Sequence, residues 1–106
     1  MDFVSKDKRV SGSAECDYDW QHADSRNADA SVNFNEDATD EEIIALLQDI
    51  DFRRRLGKEF GTRSVGFVAR TINSERVERG HVADVVIKFL QSNPGERWFE
   101  MEGVVE

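Results

Sequence analysis

Within nine residues the chain places Cys16, Asp17, Asp19, His22 and Asp24, all of them types that bind metals or take part in nucleophilic chemistry. Their spacing argues against a shared centre. An alternating pattern that begins upstream sends Cys16 and Asp17 to opposite faces of a strand, and no Cys-x-x-Cys or His-x-x-x-His pair accompanies them. Asn33-x-Asn35-x-Asp37 resembles the opening of a calcium loop, but Ala38 stands where the sharp turn needs glycine and Ile44 where a bidentate glutamate belongs. Cys16, His81 and a carboxylate could form a nucleophilic centre only if three distant segments converged, and no local motif supports it. Gly57, Gly61 and Gly66 match neither the phosphate-loop nor the dinucleotide-binding spacing. The expectation is a protein with no catalytic residues, no metal and no cofactor.

Two charged constellations remain. Glu15, Asp17 and Asp19 share one face of a predicted strand, and Glu100 and Glu102 share a face of another together with Trp98. If those strands are neighbours, like charges crowd one surface at a cost in stability, and an exposed tryptophan among them suits a binding hot spot. The second constellation is basic: Arg53, Arg54, Arg55 and Lys58 fall within six residues and Arg63 follows closely. These groups could neutralise phosphates.

The elements that position these groups follow from periodicity. Val10, Gly12, Ala14, Cys16, Tyr18 and Trp20 alternate with Ser11, Ser13, Glu15, Asp17 and Asp19, which predicts a half-buried strand despite the poor strand propensity of aspartate. The segment His22 to Asp29 is rich in turn formers, and Ala30, Val32 and Phe34 then alternate with polar residues. Together these predict a β-hairpin with a long loop. Thr39-Asp40-Glu41-Glu42 is a capping box opening a helix. Ile43, Leu46, Leu47 and Ile50 lie on one helical face, whereas Phe52, Leu56 and Phe60 lie roughly 120° away, so a break near Asp49–Asp51 with an aspartate cap is expected. A further helix is expected from Thr62 or Ser64 onward, burying Val65, Phe67, Val68 and Ile72. Helix 81–92 carries Val82, Val85, Val86, Phe89 and Leu90 at helical spacing and ends at Asn93-Pro94-Gly95. Arg97 to Val105 alternates again and predicts a last strand.

The 106 residues suffice for one domain, read as 10–106 behind a polar lead-in over 1–9. Residues 1–42 hold twelve acidic and four basic side chains, so the whole net charge of −8 resides there. No apolar run approaches the roughly 20 residues of a membrane span. The start lacks the marks of a signal peptide, and Cys16 alone cannot form an internal disulfide, so a reducing, cytoplasmic setting is expected.

These readings predict an α+β domain in which a small antiparallel sheet, formed by the N-terminal hairpin and the C-terminal strand, packs on three or four helices. In size and charge alone the chain is similar to small acidic inhibitors and immunity proteins, a resemblance that implies a non-enzymatic module engaging a basic, nucleic-acid-handling protein. The acidic strand face of Glu15, Asp17, Asp19, Trp98, Glu100 and Glu102 would carry that contact. The alternative is a regulator of nucleic acid resembling a winged helix, with helix 81–92 as reader, 97–105 as wing, and Arg53, Arg54, Arg55, Lys58 and Arg63 on the phosphates. Against it, helix 81–92 turns Asp84, Lys88 and Gln91 outward, which is no basic stripe. Whether the acidic and basic regions pair within one chain or between copies in a homodimer is open at this level.

Overall fold

The capping box predicted at Thr39 is formed in the computed structural model, which describes residues 1–18, 27–60, 67–77 and 80–105. Thr39 Oγ1 accepts the Glu42 N–H at 3.1 Å and Glu42 Oε1 accepts the Thr39 N–H at 2.9 Å. Helix α1 (Asp40–Gln48) starts there. It stops at Asp49, whose extended backbone ends one helix while its carboxylate accepts the Phe52 N–H at 2.9 Å and starts α2 (Ile50–Glu59). The break is where the shift of apolar face required it: Ile43 and Leu47 are buried from α1, Phe52 and Leu56 from α2.

The strands are β1 (Asp2–Val4), β2 (Ser11–Tyr18), β3 (Asn27–Phe34), β4 (Phe67–Ile72), β5 (Glu75–Arg76) and β6 (Trp98–Val105), with α3 (Val82–Ser92) between the last two. Among the described residues they form one six-stranded sheet in the order β1-β2-β3-β6-β4-β5, and every neighbouring pair is antiparallel. Because β6 runs opposite to both β3 and β4, those two strands run the same way, with α1 and α2 as their crossover. Likewise α3 carries the chain from β5 past β4 to β6. The last strand is thus inserted into the middle of the sheet. An α+β domain with an antiparallel sheet holds, and its detail is six strands and three helices among the described residues.

Three expectations are corrected. Residues 67–72 are strand, not helix, so of the two helices expected to end a winged-helix arrangement only helix 81–92 is found, as α3, and the expected caps Thr62 and Ser64 lie outside the described residues. The β-branched and aromatic content of Phe67–Ile72 favours a strand. Its alternation is hidden by an irregularity: Ala69 pairs with Gly103 and Thr71 with Glu102, leaving Arg70 as the extra residue of a bulge. Residues 97–105 do not form a wing, since β6 is paired on both sides. Within the expected lead-in 1–9, Asp2–Val4 pairs with β2 and buries Phe3.

The helices cover one face of the sheet. Ala14, Ala30, Val32, Phe34, Ile72, Phe99 and Met101 point into that layer and meet Leu47, Phe52, Leu56, Val86 and Leu90. A chain of edge-to-face rings runs through it, Phe52 to Phe3 at 4.9 Å, Phe3 to Phe34 at 5.7 Å, Phe34 to Phe99 at 5.8 Å and Phe99 to Phe89 at 6.0 Å. Among the described residues no helix covers the opposite face of the sheet.

Candidate functional site

Strand alternation sends every second residue to that open face. The register lays them out in rows. Ser13, Asn33 and Trp98 are opposite one another across β2, β3 and β6; Glu15, Ser31 and Glu100 form the next row; Asp17, Asp29 and Glu102 form the third. Among the described residues five carboxylates therefore share the face, all of them exposed. The third row sets three acids side by side on paired strands, where directly opposed side chains lie about 5 Å apart and like charges repel.

Trp98 is 52% exposed on this face, and its Nε1–H donates to Glu100 Oε1 at 3.1 Å. The bond holds an indole ring against a carboxylate, so a cation could meet both the π-face and the negative charge. The turn between β4 and β5 closes one side. Asn73 and Ser74 have φ of 46° and 69°, the paired left-handed conformation of a tight hairpin. Asn73 is tied to β6 by its N–H to the Glu100 carbonyl at 2.8 Å, its Oδ1 accepting the Glu100 N–H at 2.8 Å, and its amide donating to the Trp98 carbonyl at 3.0 Å. The result is an open concavity of about 590 Å³ bordered by Glu15, Asp17, Asp29, Trp98, Glu100 and Glu102.

Of the residues expected on the acidic face, Glu15, Asp17, Trp98, Glu100 and Glu102 are brought together; Asp19 lies outside the described residues. The two acidic strands are not neighbours, the condition on which their charges would have crowded directly. The strands are separated by β3, and it is Asp29 that links Asp17 to Glu102. Asp29 escaped the sequence reading because it sits in a turn-forming stretch, although extending the Ala30, Val32, Phe34 alternation back through Ala28 would have found it. Among the described residues no three His, Cys, Asp or Glu side chains are placed to hold a metal ion. Cys16 faces the helix layer, away from Asp17, and His22 and Asp24 lie outside the described residues.

The basic cluster lies on the other side of the molecule. Phe52 and Leu56 turn α2 toward the sheet, leaving Arg54, Arg55 and Lys58 exposed on its outer surface. Arg53 is engaged: Nη1 and Nη2 fork onto the Asp84 carboxylate at 3.0 and 3.1 Å. That fork lowers the Asp84 pKa from its ordinary value. Arg54 lies 3.9 Å from Asp51 in an exposed pair of little energetic weight. Arg63 lies outside the described residues. Among the described residues, the acidic and basic clusters thus occupy opposite faces of one chain and form no ion pair with each other.

No protein-family model, curated protein or solved structure matches this chain. Among the described residues no helix is long and apolar enough to cross a membrane.

Proposed function

We propose that this is a non-enzymatic binding module or small inhibitor whose uncovered sheet face docks a basic protein. The observation that carries this reading is the exposed Trp98 held against Glu100 on a face with four further carboxylates, an arrangement that costs stability through the Asp17–Asp29–Glu102 row. A fold stabilised for its own sake would disperse those charges. A cationic surface removes the repulsion, gains an aromatic anchor, and is steered in by the field of a molecule of net charge −8. The single cysteine fits a cytoplasmic setting for this encounter.

The test is affinity capture from the native host with the purified protein, beside an Asp17→Lys/Asp29→Lys variant and an Arg54→Ala/Arg55→Ala/Lys58→Ala variant. A basic protein retained by the parent and by the arginine variant, lost by the aspartate variant and weakened by salt, is the expected result. Retention that is indifferent to the aspartates sinks the reading. Loss in the arginine variant alone, with nucleic acid in the bound fraction, would favour the α2 surface as a phosphate-binding face instead.

A further inference from the structure

A second cluster of charged groups sits at the start of α3. His81 is the N-cap of that helix. Its backbone is extended (φ −60°, ψ 139°), and its Nδ1 accepts the Ala83 N–H at 3.2 Å. A histidine can do this only as the neutral tautomer that keeps Nδ1 unprotonated. Serine, threonine, aspartate and asparagine are the usual residues for the task, and none of them loses its acceptor near neutral pH.

The neighbours sharpen the contrast. Among the described residues, Arg53 of α2 and Asp84 of α3 are the charged groups that act on the ring, with Lys88 one turn further along α3 acting on Asp84. Burial of the half-exposed ring holds its pKa below the ordinary value; the Arg53 charge adds to that effect and Asp84 opposes it. Both Asp84 oxygens are already engaged by Arg53.

We propose that His81 is an acid-operated latch on α3. Neutral, it caps the helix. Protonated at Nδ1, it turns from acceptor to donor against the Ala83 N–H and adds a cation at the positive end of the helix, beside Arg53. Among the described residues the counter-charge at hand is Asp84, and the imidazolium takes it by displacing part of the Arg53 fork. Either way a tie between α3 and its surroundings is lost, and the first turn, which buries Val82 and Ala83, opens while the sheet stays paired. The direction in pH follows from the lowered pKa. The stabilisation is full above the ordinary histidine value of 6.5 and is lost as pH falls through the lower folded value.

The experiment compares wild type with His81→Asn, which keeps a capping acceptor without a titrating group. Amide exchange protection of Ala83 is measured from about pH 8 to about pH 5. Wild type should lose protection at Ala83 on the order of tenfold relative to the asparagine variant, with the Phe99 amide in β6 unaffected. Parallel profiles in the two proteins would overturn the proposal. Imidazole titration by NMR, assigned with His22→Gln, gives an arm that needs no change at His81: a His81 midpoint at or above the ordinary value also overturns it.

Discussion

Arg97 Nη1 lies 2.8 Å from Asp40 Oδ1, which binds the residue before β6 to the first turn of α1 across 57 positions of sequence. The same guanidinium donates to the Glu96 carbonyl at 2.8 Å and the Ala38 carbonyl at 2.7 Å, and Asp40 Oδ2 accepts the Gly95 N–H at 3.1 Å. β6 is the last strand of the chain and enters the middle of the sheet, so its register depends on an anchor at its start. Arg97 is that anchor, and only 11% of its side chain is exposed.

Arg97→Met is accordingly expected to cost about 2–4 kcal/mol, since it removes three charge-assisted or buried N–H bonds and leaves a partly exposed carboxylate and two carbonyls short of partners. Asp40→Asn keeps an acceptor oxygen for Arg97 but turns its NH2 toward the Gly95 N–H, so it loses one bond and the ionic charge and should cost less, about 1–2 kcal/mol. Urea unfolding at neutral pH separates the two. The Arg97 hydrogen bond holds the Asp40 pKa below the ordinary carboxylate value of 3.8. Its contribution is therefore full above that pH and lost as pH falls through the lower folded value. Asp40→Asn should remove this portion of the acid sensitivity.

Gly12 in β2 faces the Asn33 backbone of β3 so closely that an added Cβ would sit 1.8 Å from the Asn33 carbonyl oxygen and 3.0 Å from the Phe3 ring. The obstacle is backbone and cannot rotate away. Gly12→Ala should cost about 2–4 kcal/mol by forcing β2 and β3 apart. A lower urea midpoint with new exchange in the Gly12–Phe34 and Gly12–Phe3 pairs checks this.

Asp29 is flanked by Asp17 on one side and Glu102 on the other. Asp29→Asn should therefore stabilise the fold, by about 0.2–1 kcal/mol, while weakening capture of a basic partner. The gain should shrink in concentrated salt, because the repulsion it relieves is screened. Thermal melts at low and high ionic strength read both effects.

Phe99 is fully buried between Phe34 and Phe89. Phe99→Ala is expected to cost about 3–5 kcal/mol and Phe99→Leu considerably less, because leucine refills most of the space. Chemical denaturation distinguishes a packing role of this size from a surface one.

The elements read from the residues were those with an uninterrupted local signal. The Thr39 capping box, the change of apolar face at Asp49, the spacing from Val82 to Leu90 and the alternations in β2, β3 and β6 all appear where they were expected. What escaped lacked such a signal. β1 is three residues long and shows one buried ring, Phe3. β4 carries a bulge near Arg70 that destroys the period of two, so Phe67, Val68 and Ile72 fit a helix as well as a strand.

Which residues have charge, and which face of a strand each one takes, was determined by the sequence itself, since side-chain alternation is a local property of extended backbone. Which strands stand side by side was decided only by the tertiary structure. Pairing partners are chosen by long-range packing: the ring series through Phe3, Phe34 and Phe99 and the Arg97–Asp40 anchor draw β6 in beside β3. That choice placed Asp29 between Asp17 and Glu102, turned two separate acidic stripes into one surface, and put Arg54, Arg55 and Lys58 on the far side of the molecule.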